Sequence, residues 1–298
     1  MEPWMIFAFV APLFWGATGI IDKFLVDKHM RNPYATSVYL NILYFLMTLT
    51  LVFFVNLAFP LPYVLLASCI GVLSFFTYTI WFKAISIEDV SVATPLAFIY
   101  PVFAMLFAFI FLYEKVSLLQ YVGAVLLIAS SVLISMKKSL GKILVSPALK
   151  FMLVFSAING ASVVLEKFAL GGLSFWALFF WSNAGLCAVC LATLLFSAKI
   201  RRDFVKLLKL KPRVVGFCLL TDGLAMVATL IFFFALTTGP ATLVSAINAV
   251  QPFYVLLMVV VLSAFWPNVL EEKNNGWVLF LKALAIVLVL IGSFLLAA

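Results

Sequence analysis

A chain of 298 residues that is 66% hydrophobic and only 10% charged cannot hide its apolar surface inside a water-soluble globule. Its formal charge of +8 would suggest an acidic partner in a soluble domain. Here the basic residues crowd into a few short loops beside long apolar runs, a pattern of topology signals and not of a nucleic-acid surface, so an integral membrane protein is the class that remains.

A membrane-spanning helix needs about 20 apolar residues, because its backbone must satisfy its own hydrogen bonds where there is no water. Ten segments qualify: 4–24, 34–58, 61–85, 91–112, 117–136, 148–168, 174–197, 213–237, 241–262 and 279–297. Before the first of them, “MEPWMIFAFV” has no basic n-region and no small-residue cleavage site, so the first span is expected to be retained. Tight helical hairpins are expected at “FPLP” (59–62), “SIED” (86–89) and “TTGP” (237–240). The fifth and sixth spans are separated by a hinge, “KKSLGKILVSP” (137–147), which is not a phosphate-binding loop. Met136 stands where such a loop needs its first glycine, and Ile143 follows Lys142. The chain is therefore not expected to be an ATP-driven pump by itself.

Span 1 ends in “FWGATGIIDKF” (14–24), and span 6 carries a near-copy, “INGASVVLEKF” (158–168), 144 positions later. A second pair, “FKAISIEDVSVATPLAFIYPVF” (82–103) and “FFALTTGPATLVSAINAVQPFY” (233–254), aligns without gaps at a displacement of 151. Each half has five spans, an odd number, so the second half must enter the membrane from the opposite side. The expected fold class is all-α, a polytopic membrane protein of ten helices built as a five-plus-five inverted repeat, with residues 1–145 and 146–298 as its two units. Inverted repeats suit alternating access to a site near the bilayer midplane.

The sequence resembles the EamA-type members of the drug/metabolite transporter superfamily. The resemblance is carried by “WGATGIIDK” in span 1, “KAISIEDVSVATPL....YPVF” across spans 3 and 4, and “LYEKVSLLQYVGAVLLIASSVLI” across spans 4 and 5. It implies movement of small metabolites, amino acids among them. The second half departs from the pattern at “SAFWPNVLEEKNNGWVLFLKA”, where the loop before span 10 is lengthened.

Of the 19 lysines and arginines, 17 fall to the loops after spans 1, 3, 5, 7 and 9. The expected location is the cell (inner) membrane, and with the basic side cytoplasmic both termini are expected to be non-cytoplasmic. Residues 198–213 carry seven of these charges, with Ile200, Phe204, Leu207 and Leu208 on one helical stripe. They read as an interfacial helix lying against anionic lipid.

Polar residues deep in a span are costly and usually face the interior of the bundle, so depth selects the candidate site. In span 9, Thr242, Ser245, Asn248 and Gln251 recur every three residues before Pro252; in span 4, Tyr100 precedes Pro101. Each proline frees a carbonyl four residues back, at Ala97 and Asn248, for water or a polar substrate to satisfy. The stripe is equally consistent with hydrogen-bonding glue between helices. Trp15 and Asn159 are repeat partners near mid-span. Tyr78 and Trp81 wall the same region or simply pack. Asp222, whose repeat counterpart is Gly71, reads as a substrate-ammonium site, a proton carrier or a neutral structural acid. Asp22, Lys23, Glu166 and Lys167 lie at span ends on opposite faces, as gates or as snorkelling interface residues.

The substrate-binding candidates are thus Trp15, Tyr78, Trp81, Tyr100, Asn159, Asp222, Ser245, Asn248 and Gln251. Cys187 and Cys190 form a C-x-x-C without a second pair or a nearby histidine, and read as small packing residues. No cofactor, metal or nucleic acid is expected. The expected function is a proton-coupled or facilitative carrier of a small polar metabolite, an amino acid or other amine-bearing compound, working in the bilayer as a monomer or homodimer. The alternatives are a carrier of larger nucleotide-type metabolites, a passive channel, and a multispanning enzyme acting on lipid-linked substrates. Such an enzyme would draw on loop acids such as Glu88, Asp89, Glu271 and Glu272.

Overall fold

The structure is a computed structural model and describes residues 3–111, 117–139, 142–265 and 276–297. In chain order its elements are α1 (Pro3–Lys28), α2 (Pro33–Thr48), α3 (Leu61–Ile85), α4 (Val90–Ala97), α5 (Tyr100–Phe111), α6 (Leu118–Ser135), β1 (Met136–Ser139), β2 (Lys142–Val145), α7 (Ala148–Ala169), α8 (Phe175–Phe196), α9 (Ala198–Leu207), α10 (Pro212–Thr238), α11 (Ala241–Asn248), α12 (Gln251–Phe265) and α13 (Gly276–Ala297). A 3-10 turn, Leu49–Phe53, extends α2. Strands β1 and β2 pair antiparallel, Met136 opposite Val145, in the segment expected as a hinge. Among the described residues this hairpin is the one departure from an all-helical chain.

Among the described residues, eight stretches are long and apolar enough to cross a membrane: Pro3–Lys28, Pro33–Phe53, Leu61–Ile85, Val90–Phe111, Ala148–Ala169, Phe175–Phe196, Pro212–Thr238 and Ala241–Leu262. Two shorter apolar helices, Leu118–Ser130 and Phe280–Leu295, lie where the fifth and tenth spans are expected. Phe53, Phe111, Leu195, Phe196 and Phe294 stand exposed on the outside, as side chains facing hydrocarbon would. The lengthened loop, with Glu271 and Glu272, falls largely outside the described residues.

Proline decides where two of the long stretches break. Helix α4 stops at Ala97 and α5 starts at Tyr100; α11 stops at Asn248 and α12 starts at Gln251. Pro101 and Pro252 are each the second residue of the new helix, where a missing amide hydrogen costs nothing. The chain therefore restarts a helix instead of bending through the proline. Ser156 Oγ on α7 donates to the freed carbonyl of Ala97 at 2.8 Å, so a protein hydroxyl meets a demand expected to fall on water or substrate. Helix α4 packs on α12 and α5 on α11, so the two broken helices run in opposite directions. At the crossing, the Tyr100 hydroxyl donates to the Ser245 carbonyl at 3.2 Å.

Small residues set the closest approaches. A β-carbon on Gly71 would sit 1.8 Å from the Ser182 carbonyl oxygen, and one on Gly185 2.1 Å from that of Ser68. Helices α3 and α8 therefore touch backbone to backbone. Gly16 on α1 lies against Val255 on α12, and Gly160 on α7 against Phe103 and Ala104 on α5.

The apolar stripe of α9 is covered by protein. Ile200, Phe204 and Leu207 pack with Leu25, Met30, Ala35 and Tyr39, and the Tyr39 and Phe204 rings lie 6.0 Å apart; Leu208 stays exposed. Asn32, which caps α2, donates to Asp203 at 2.8 Å and pins α9 to the α1–α2 connection. With Lys206 donating as well, the Asp203 carboxyl is held below the usual carboxylate range. Two of the lysines assigned to loops are instead buried in helices: Lys23 in α1 and Lys282 in α13, the latter 1% exposed.

Candidate functional site

A cavity of about 230 Å³ opens where the broken helices cross, lined from α1, α2, α3, α4, α5, α7, α8, α10, α11 and α12. Helical spacing explains which side chains reach it. On α1 the lining residues Trp15, Thr18 and Asp22 follow one another at three and four positions, and on α7 Phe155, Asn159, Val163 and Glu166 do the same. Helix α3 contributes Ser74, Thr77, Tyr78 and Trp81, and α10 contributes Thr221, Asp222, Ala225 and Thr229.

The structure brings eight of the nine binding candidates to this cavity: Trp15, Tyr78, Trp81, Tyr100, Asn159, Asp222, Asn248 and Gln251. Ser245 is the exception. It is fully buried beside the cavity, offering its carbonyl to Tyr100, while its Oγ has no hydrogen-bond partner.

The four residues assigned to span ends divide by chemistry. Asp22 and Glu166 line the cavity, each 9% exposed. Helix α1 runs to Lys28, four residues past the expected end, so Asp22 lies inside the bundle and shares the Trp15 face two turns on. Glu166, in the last turn of α7, is turned inward by the same periodicity. Lys23 and Lys167 leave the cavity and cap helix ends: Lys23 Nζ donates to the Ile85 carbonyl at 2.7 Å, and Lys167 Nζ to those of Leu236 and Gly239 at 2.7 and 2.9 Å. A cation at a helix C-terminus meets unsatisfied carbonyls and the negative end of the dipole. Lys23 also pairs with Asp27 at 3.1 Å.

Three carboxyl groups, Asp22, Glu166 and Asp222, thus share one cavity, although the sequence counts only Asp222 among the binding candidates. Thr221 Oγ1 donates to Asp22 at 2.9 Å. Asp222 is 6% exposed and its Oδ2 has no partner. Asn248 donates through Nδ2 to the Val244 carbonyl at 3.0 Å, which leaves its buried Oδ1 without a partner. Rings fill much of the remaining wall, with Trp15 and Phe232 packed at 5.3 Å.

Sequence reasoning missed Asn41, Tyr44, Asn183 and Thr221, all of which line the cavity. Asn41 and Asn183 are single amides in otherwise apolar runs, so the depth criterion could have found them. Thr221 gave no such signal beside Asp222.

Comparison with known proteins follows the same line. Residues 2–136 match the EamA-like transporter family. The family resemblance read from the motifs of the first half is borne out over that stretch, which contains α1 to α6. No curated protein matches the sequence. A solved structure titled only “Crystal structure of protein” is 16% identical and superposes with a TM-score of 0.66, covering 99% of this chain and 96% of its own. At that identity the likeness speaks for the fold alone, and it extends over both the EamA-matching half and the half that follows it.

Proposed function

We propose that this protein is a secondary transporter that carries a small, polar, amine-bearing metabolite through the central cavity by alternating access. The observation that carries the reading is the origin of the cavity wall: equivalent faces of α1 and α7, 144 positions apart in sequence, supply Trp15 and Asp22 on one side and Asn159 and Glu166 on the other. A five-plus-five inverted repeat of ten spans is supported by contacts that occur twice. Gly16 meets Val255 and Gly160 meets Ala104; Lys23 caps at Ile85 and Lys167 at Leu236. In each case the first partners are related by 144 positions and the second by 151. Units 1–145 and 146–298 then act as matched halves rocking about the crossing of the broken helices.

The enzyme alternative would draw on Glu88, but that carboxyl is buried and accepts a hydrogen bond from Ser146; Glu271 and Glu272 lie outside the described residues. The transporter match over residues 2–136 favours a carrier. A role for Asp222 in holding a substrate ammonium or carrying a coupling proton is supported by its position on the cavity wall with Oδ2 unpartnered. In the membrane, the basic loops face the cytoplasm and both termini face away from it. Counterflow in liposomes loaded in turn with unlabelled amines, amino acids, nucleosides and sugar nucleotides tests the reading. Uptake of one labelled class without ATP is expected, and failure of every class to exchange would sink it.

A further inference from the structure

The cavity carries one sign of charge. Among the described residues its lining includes the carboxyls of Asp22, Glu166 and Asp222 and no lysine, arginine or histidine. Lys23 and Lys167, adjacent in sequence to two of those acids, are engaged at helix ends. Among the described residues, the two buried lining atoms without a hydrogen bond, Asp222 Oδ2 and Asn248 Oδ1, are both acceptors. A ligand that completes this wall has to bring N–H donors.

A zwitterion would also need a place for its carboxylate. In carriers with broken helices, the N-termini of the half-helices can supply one. Here Pro101 and Pro252 remove a donor from each first turn. The next amides are occupied, Val102 donating to Ile99 and both Phe253 and Tyr254 to Val250. Among the lining amides, Asn41 donates to Ser37, Asn183 to the Phe179 carbonyl and Asn248 to the Val244 carbonyl, which leaves only the uncharged side chains of Asn159 and Gln251 to meet a carboxylate. An entering carboxylate would face three acids with no cation to offset its desolvation. An ammonium meets the opposite situation, and the rings of Trp15, Trp81, Tyr44 and Tyr78 add surfaces that attract a cation and cover an apolar body.

We infer that the cavity selects a net organic cation: one or two ammonium groups on an apolar or aromatic body, with no carboxylate. The inference rests on the transporter reading and narrows it, turning from amino acids toward their decarboxylated counterparts.

Matched pairs test the inference. Phenethylamine against phenylalanine and 1,5-diaminopentane against lysine are titrated calorimetrically into the purified full-length protein, and each compound is then run in counterflow. At least one amine is expected to bind roughly fivefold or more tighter than its amino acid, the least that one unpaired buried polar group would cost, and to exchange in counterflow. An amino acid that binds and exchanges as well as its amine overturns the cation inference and leaves the transporter standing. Exchange of a neutral or anionic compound with no binding of either amine does the same. If nothing exchanges, both readings fall together.

Discussion

Asp222 and Gly71, 151 positions apart in sequence, meet opposite demands on α10 and α3. Gly71 lets α3 lie against the α8 backbone at Ser182, which leaves no room for a side chain. Asp222 instead projects into the cavity from α10, with Oδ2 unsatisfied. A buried carboxylate without a cation is costly, and a structure keeps one where a ligand or proton supplies the missing interaction. Asp222→Asn is therefore expected to abolish gradient-driven accumulation. If Asp222 only carries a proton, the variant still exchanges substrate across liposomes; if it holds the ammonium, exchange and binding are lost together. Accumulation at the wild-type level would remove Asp222 from the mechanism. A separate substitution probes packing alone. Gly71→Ala should destabilise by about 1–3 kcal/mol through overpacking against Ser182, read as a lower unfolding temperature in detergent. Unchanged stability would mean that α3 and α8 can separate freely.

At the scale of elements, much was legible in the sequence. The long spans follow from apolar length, and the breaks at Tyr100–Pro101 and Gln251–Pro252 follow from proline chemistry, although an unbroken kinked helix was the expectation at each. The inward positions of Asp22 and Glu166 were legible in principle, since Asp22 stands seven residues from Trp15 and Glu166 seven from Asn159, both spacings that return to the same helical face. Assigning them by distance from a span end hid that periodicity. The lysine caps were not legible, because a side chain's partner on another helix leaves no local trace. Nor was the docking of α9: an amphipathic stripe states that something apolar covers it, not whether lipid or protein does. The Ser156 contact belongs to the same class, and it makes a test of the break. Ser156→Ala leaves the Ala97 carbonyl without its donor, at a cost of about 1–3 kcal/mol if no water replaces it. Thermal unfolding of the purified variant measures this, and a shift no larger than experimental scatter would show that the carbonyl has another partner.

For the whole molecule, basic residues are unevenly divided between the two ends of α8, and so orientation in the membrane is the property to test. The α9 segment and its flanks hold seven basic residues, whereas the α7–α8 connection around Gly171 adds only Lys167, which is engaged with α10. Helix α8 lies between these two connections, so they emerge on opposite faces of the membrane. The positive-inside bias assigns the α9 face to the cytoplasm. In a background lacking the four native cysteines, Gly171→Cys should react with a membrane-impermeant maleimide added to intact cells, and Lys209→Cys should react only after permeabilisation. Both positions are exposed, so failure to label cannot be ascribed to burial. The reverse pattern would put both termini in the cytoplasm and show that the basic α9, held to α2 by the Asn32–Asp203 hydrogen bond, faces outward. Labelling at both positions from one side would be more damaging, because α8 would then fail to cross the membrane and the inverted repeat itself would fall.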